Sequence, residues 1–385
     1  MHASRPSKND FINLVQPAYT KHESTFDRSD STTDTPYWRD PREWSVGRWI
    51  VIGLGVVICV LVAVLVPLLI TRANKYPDYS QLTYSLAETF QGEDFFDSFN
   101  YFDDYDPAEG FVHYANSEEA ESLNLTYASS SSAIIRVDNR DVDSSTGLLS
   151  ARVTSKSTYA SGLFIFDVKH APFGCALWPA LWLTDPDNWP TNGEIDVVEG
   201  MNAIAGNQVT LHTTGGCKMN VKRKETGTVK YTNCHNTSNS NAGCGVKGTD
   251  STFGTDFNTA GGGIYAMELR DEGIRTWFFD RSSIPSDLSA LNSSTTNSTT
   301  VPDPYTWSTP LADFPSTHCD ISNHFRNQSI IANIDVCGQG AGSTSSYTTE
   351  SQCSGTCTDY VTNAAGSTWD DAYWEFGGWW VFQAS

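Results

Sequence analysis

Between Trp49 and Ile70 the chain runs WIVIGLGVVICVLVAVLVPLLI, 22 residues without one charged side chain. At about 1.5 Å per residue a helix of that length spans roughly 33 Å, enough to cross a hydrocarbon core. A core helix of a soluble domain would normally show a polar stripe, and this run has none. A transmembrane helix is therefore expected over 49–70. A cleavable signal peptide is not, because 48 mostly polar residues precede the run and its apolar stretch is too long. The run also divides the charge. Residues 1–48 carry seven Lys/Arg and seven Asp/Glu, which leaves 17 positive and 38 negative groups in 71–385. The whole net charge of -21 lies after the apolar run. An acidic domain of that kind argues against nucleic acid, whose binding needs basic patches that release counterions.

The flanks of the run differ little in charge, with Arg39, Arg42 and Arg48 before it and Arg72 and Lys75 after it. Glycosylation sequons orient it instead. Asn124, Asn236, Asn292, Asn297 and Asn327 each begin an Asn-x-Ser/Thr triplet, and all lie after the run. Eight of nine cysteines also follow it, with Cys59 inside. An even cysteine count on the sequon-bearing side suits an oxidising lumen and allows four disulfides. Their connectivity stays open, although the short spacings Cys353/Cys357 and Cys234/Cys244 would suit local loops. The expected organisation is a disordered cytosolic tail (1–48), a membrane helix (49–70), a juxtamembrane linker (71–83) and one domain (84–385). The expectation is a single-pass type II membrane protein of the secretory pathway or cell surface, with its domain lumenal or extracellular.

From Tyr84 onward the pattern is β. Short apolar and β-branched runs stand at Ala133–Val137, Leu148–Thr154, Gly162–Val168, Glu194–Glu199, Val209–Thr213, Ile264–Leu269, Ile274–Phe279, Ile330–Val336 and Tyr373–Phe382. Gly, Ser, Asn, Asp and Pro clusters separate them, which predicts an all-β sandwich or barrel. Asn292–Thr300 reads as a surface loop.

The chemistry concentrates in Asn192-Gly193-Glu194-Ile195-Asp196-Val197-Val198-Glu199. Asn-Gly predicts a turn and the strand starts after it. Alternation puts Glu194 and Asp196 on one face but sends Glu199 to the other. One extra residue, a β-bulge near Val197–Val198, returns Glu199 to their side. The two glutamates then stand about four strand steps, roughly 13 Å, apart at Cα. Their side chains can lean to the ~5–5.5 Å between carboxyls of a retaining glycosidase. Asp196 between them would tune both. A solvated acidic face would show the same spacing, and so would a cation site, although hard cations also draw ligands from looped backbone.

The surrounding motifs resemble glycoside hydrolase family 16, specifically the fungal laminarinase-like endo-β-glucanases. They run from Ser155-Lys156 and Gly162-Leu-Phe-Ile through Gly174-Cys-Ala-Leu-Trp178-Pro-Ala-Leu-Trp182, Asn188-Trp189-Pro and Gly193–Gly200. Thr210-Leu-His212-Thr, Gly262-Gly-Ile-Tyr-Ala-Met-Glu268, Cys337-Gly338 and Asp371-Ala-Tyr-Trp374 continue the order. The resemblance implies a β-jelly-roll with a concave glucan cleft. It further implies Glu194 as nucleophile, Asp196 as assisting residue, Glu199 as acid/base and His212 as a cleft histidine; a structural histidine is the alternative for His212. Trp182 and Trp189 match sugar-contacting tryptophans, with Trp178 closer to a structural role. An indole offers a flat apolar face to a pyranose and an N–H at its edge. After Cys337-Gly338 such relatives carry an acidic residue and a sugar-stacking tryptophan, where this chain has Gln339-Gly340. The implied activity is retaining hydrolysis of β-1,3 or mixed β-1,3/β-1,4 glucans. A wall-glucan transglycosylase or a non-catalytic glucan-binding protein are the alternatives. No cofactor is needed, and a structural calcium ion away from the cleft is compatible with the acidic stretch Glu93–Asp106.

Overall fold

The computed structural model describes residues 41–140, 145–292 and 301–385. Most of the expected N-terminal tail, the Asn297 sequon, the side chain of Asn292 and most of the Asn292–Thr300 stretch lie outside the described residues. One helix, Val46–Ala73, contains the apolar run and extends three residues past each of its ends. The run marks a depth of hydrocarbon, whereas backbone hydrogen bonding continues through Arg48 and Arg72. None of its residues is buried, and it is long and apolar enough to cross a membrane.

Among the described residues, the β-domain is a sandwich of two eight-stranded sheets. Across the sheet that carries the acidic strand, the order is Thr228–Val229, Cys244–Lys247, Gln208–His212, Glu194–Glu199, Leu177–Thr184, Ser329–Val336, Arg152–Ser155 and Phe99–Tyr101. The second sheet runs Ala312–Pro315, Gly273–Asp280, Gly263–Arg270, Gly162–His170, Tyr373–Ala384, Ala133–Arg136 and Thr126–Ala128, and Tyr84–Phe90 pairs with Tyr373–Ala384. Leu181, Leu183, Ile195, Val197 and Val198 from the first sheet meet Phe164, Phe166 and Trp379 in one core. The opposite face of Gly162–His170 is buried too, because Leu163 and Ile165 pack with Trp277, Trp380 and Phe382 in a second apolar layer.

The run Leu148–Thr154 divides at Ala151. Leu148–Ser150 joins Val112–Tyr114 in a small parallel pair, while Arg152–Ser155 enters the acidic sheet. Leu177–Thr184 is a central strand despite Pro179. The Pro179 carbonyl accepts the Gly200 N–H at 3.1 Å. Its nitrogen faces the same neighbour, where the acidic strand has already ended, so the missing donor leaves no ladder bond broken.

The segment expected to be a linker is strapped to the domain. Tyr76 and Tyr79 donate their hydroxyls to the two oxygens of Asp313, at 2.9 and 3.2 Å. Lys224 and Arg275 lie over the Tyr76 and Tyr79 rings at 4.4 and 4.2 Å. Ser80 O accepts from Arg270, and Lys75 O from Thr317. Asp313 also takes the Lys224 backbone N–H at 2.7 Å, and burial pushes its carboxyl above the usual carboxylate range. Asp313→Ala leaves three donors without their acceptor, at about 1–3 kcal/mol for each one that stays buried. A loss of about 3 kcal/mol lowers the melting temperature of a domain this size by roughly 6–12 °C. A calorimetric shift under 2 °C would show that the strap adds little.

Four disulfides close the fold: Cys175–Cys353, Cys217–Cys319, Cys234–Cys244 and Cys337–Cys357. Cys234/Cys244 is a local loop, but Cys353 and Cys357 do not pair with each other. Each instead ties the loop after Ser351 to an end of a different central strand, near Leu177 and Val336. Cys59 is free and exposed on the helix. Asn124 and Asn327 are exposed and Asn236 half-buried.

Candidate active site

The acidic strand begins at the Asn192-Gly193 turn. Gly193 has φ 74°, and a Cβ there would meet His324 O at 2.5 Å, so both conformation and close approach require glycine. Asn192 fixes the turn by donating to Asp185 at 2.7 Å and accepting from Arg326 at 2.7 Å. Beyond the turn, Glu194 stands opposite Thr184, Asp196 opposite Trp182 and Glu199 opposite Ala180, with the register shifted between Asp196 and Val198. Val197 is the extra residue, and Val197 and Val198 are both fully buried. All three carboxylates therefore share one face, and the two glutamates are four steps apart along the neighbouring strand.

A bulge frees backbone groups that a regular ladder would pair. Here the side chain of Asn207 takes them up. Its Oδ1 accepts the Glu199 N–H at 2.9 Å, and its Nδ2 donates to Val197 O at 2.8 Å. Asn207 is wholly buried. Nothing in the sequence pattern marks it, since it lies in a loop and its partners are backbone atoms.

Each glutamate holds an indole. Trp189 donates Nε1–H to Glu194 Oε2 at 2.5 Å, and Trp178 donates to Glu199 Oε1 at 2.8 Å. Trp189 is 41% exposed, whereas Trp178 and Trp182 are half-buried. Trp182 bonds Asn333 at 2.8 Å and carries the Arg152 guanidinium over its ring at 5.1 Å, the same guanidinium lying 4.9 Å from Phe102. The face of Trp182 turned to Arg152 is thus occupied. Trp178, expected to be nearer a structural role, touches an acidic site residue directly.

His212 pairs with Glu194 in register. Its Nε2 lies 3.5 Å from Asp196 and 3.8 Å from Glu194, and its Nδ1 is 3.1 Å from Asn241 Oδ1. Burial works against a charge on His212, but its contact with Asp196 and the charges of Glu194, Asp196 and Glu199 outweigh it and lift the imidazole to about 10. Burial, and then the charge on Glu194, hold Asp196 well above its ordinary value; its Oδ2 is buried without a hydrogen bond. Burial also raises Glu199, against the pull of the Trp178 N–H and of His212 and Lys247. Asp196 and Glu199 are thus both pushed toward the protonated form, while His212 between the acids is pushed toward the imidazolium.

Among the described residues, Glu194, Asp196 and His212 form the one group of three metal-capable side chains whose donor atoms lie within 4.8 Å of one another. To ligate a cation there, His212 would have to release the proton that Glu194, Asp196 and Glu199 favour on it. Glu93–Asp106 brings together no such group; the Asp106 carboxylate accepts from the Ala108 and Gly110 N–H groups and the Tyr114 hydroxyl.

A family model described as the XgeA-like catalytic GH16 domain matches residues 99–382. A probable glycosidase of Schizosaccharomyces pombe is 43% identical over 314 residues, covering 80% of this chain and 72% of that protein. A probable endo-1,3(4)-beta-glucanase of Neosartorya fischeri is 37% identical over 310 residues, or 78% of this chain; the match spans only 46% of that longer protein. Among solved structures, Laminarinase 16A from Phanerochaete chrysosporium, with β-glucans in donor and acceptor sites, is 38% identical over 78% of this chain and 99% of its own, with a TM-score of 0.74. An elongating GH family 16 β-1,3-glucosyltransferase is 36% identical, with a TM-score of 0.71, over 78% of this chain and 100% of its own. The bulged acidic strand, the sandwich around it and these matches agree: the chain belongs to glycoside hydrolase family 16.

Proposed function

We propose that the protein is a retaining endo-β-glucanase acting on β-1,3 or mixed β-1,3/β-1,4 glucans. The observation that carries this reading is the placement of Glu194 and Glu199 on one strand face, each holding an indole N–H, with the more buried Asp196 between them. Glu199, raised by burial, enters the reaction as an acid. It protonates the glycosidic oxygen as the C1–O bond breaks, while Glu194 forms a bond to C1 from the opposite face. Water then attacks C1, giving its proton to Glu199, and the Glu194 ester is released. Asp196 and the His212 imidazolium hold the field around the nucleophile. The half-exposed Trp189 is the sugar platform best placed at Glu194, and Trp182 offers the ring face away from Arg152. No cofactor enters this reaction.

A second reading, glucan transglycosylation, is favoured by the similarity to the elongating β-1,3-glucosyltransferase. A sugar hydroxyl intercepts the same covalent intermediate in place of water. We also infer a type II orientation with the β-domain lumenal or extracellular. Four disulfides suit an oxidising compartment, and the sequons at Asn124, Asn236, Asn292, Asn297 and Asn327 all follow the apolar helix.

The test incubates the full chain in detergent with a β-1,3-glucan and a mixed-linkage glucan, following product length and anomeric configuration by NMR. Short products released first as the β-anomer support the hydrolase. Chains longer than the substrate move the assignment to transglycosylase, and no turnover of either glucan by folded protein overturns both.

A further inference from the structure

Gly340 has no side chain because an indole occupies its place. A Cβ at 340 would meet Trp178 Cη2 at 2.7 Å and Cζ2 and Cζ3 at 2.9 Å, and one at Gly338 would meet Cζ3 at 3.3 Å. The φ of Gly340 is not left-handed, so close approach alone requires glycine here. The turn that presents this surface, Gly338–Ala341, is itself held. Cys337 is disulfide-bonded to Cys357, Gln339 N donates to Ala108 O at 2.9 Å, and Ala341 O accepts from Asn202 at 2.9 Å. The same indole donates Nε1–H to Glu199 Oε1 at 2.8 Å.

An indole N–H donates and cannot accept. With Oε1 engaged by it, the proton that Glu199 delivers is confined to Oε2. We propose that Trp178, seated on Gly340 and Gly338, is the positioning residue that fixes which oxygen of Glu199 carries the catalytic proton. The proposal rests on reading Glu199 as the acid/base. It also gives the Gln339-Gly340 departure a physical meaning: in this chain the space at 340 belongs to the tryptophan that orients the acid, and a side chain there displaces it.

Two variants test this. Trp178→Phe removes the N–H together with the outer ring atoms that rest on Gly340. Gly340→Ala keeps the N–H and pushes the ring away. Both should lower kcat by about ten- to a hundredfold while KM stays within about twofold, as expected when a proton donor is misaligned. The alkaline limb of the kcat/KM profile should move to higher pH in both. Loss of the N–H removes a stabiliser of ionised Glu199, so the acid form persists further up the pH scale. The other groups facing Glu199 are Glu194, Asp196, His212 and Lys247, and they are unchanged in both variants.

If Gly340→Ala fails to fold, Trp178→Phe decides alone. An unchanged alkaline limb and kcat in folded Trp178→Phe overturns the proposal. Titration of 13C-labelled glutamate carboxyls by NMR, with Glu199→Gln to assign the signal, needs no turnover. If no glucan is a substrate, the reading of the reaction falls, but this titration still decides the positioning: Glu199 moves upward in Trp178→Phe, and a stationary signal overturns it.

Discussion

Glu194→Ala and Glu199→Ala should each respond to sodium azide, with opposite stereochemistry. The substrate is a dinitrophenyl glycoside of a β-1,3-linked glucose disaccharide, whose leaving group needs no acid. In Glu194→Ala the face below C1 is vacated, and azide attacks there in one displacement to give the α-glycosyl azide. In Glu199→Ala the nucleophile still forms its ester, and azide attacks that ester from the other face, giving the β-glycosyl azide. Without azide, loss of Glu194 should reduce kcat at least about 10⁴-fold, on the scale seen when other enzymes lose a covalent nucleophile. Loss of Glu199 should cost about 10²–10⁴-fold on polymeric glucan, the usual share of general acid catalysis. Glu194→Gln should keep glucan binding largely intact, because the amide preserves shape. Proton NMR of the azide product reads the anomer directly. The same anomer from both variants sinks the assignment of roles, and β-azide from Glu194→Ala with α-azide from Glu199→Ala would exchange them.

The elements legible in the sequence were those whose physics is local. The Asn192-Gly193 turn, the alternation of Glu194 and Asp196, and the mismatch of Glu199 with that alternation together require a bulge, and the register shift falls between Asp196 and Val198. Strands such as Gly162–His170 and Gly263–Arg270 carry unbroken apolar stretches, Leu163–Phe166 and Ile264–Met267, because both faces are covered there. What stayed hidden depends on partners far along the chain. Leu177–Thr184 carries a proline, and only its neighbour's endpoint makes that harmless. Tyr76 and Tyr79 look like part of a polar spacer until Asp313, more than 230 residues later, is brought to them. Cys353 and Cys357 are close in sequence, yet they bond to different strand ends. The site shows the same division. Its acids were readable from spacing, whereas Asn207, Asn241 and the donor role of Trp178 exist only once the sheet has formed.

Asn207→Leu is expected to damage stability and turnover together, and the reason lies in the bulge. A leucine matches asparagine in branching and in the number of side-chain heavy atoms but is bulkier, so some overpacking, about 1–3 kcal/mol, adds to the loss of hydrogen bonds. It removes the acceptor for Glu199 N–H and the donor to Val197 O. Two backbone groups are then buried without partners, at about 1–3 kcal/mol each, or about 2–6 kcal/mol in all. The cheapest relief is to close the bulge and restore regular pairing. That relief turns Glu199 toward the core and away from Glu194 and Asp196. Turnover should therefore fall by about 10²-fold or more even in the folded fraction, the penalty of misplacing a catalytic group by about 1 Å. Asn207→Asp separates the two effects. Its carboxylate still accepts from Glu199 N–H but cannot donate to Val197 O when ionised, so the bulge is held from one side only. Its melting temperature and kcat should lie between wild type and Asn207→Leu. The measurement is kcat below the melting temperature of each variant, so that unfolding does not enter. Wild-type kcat in folded Asn207→Leu would mean that the bulge holds Glu199 in place without this side chain.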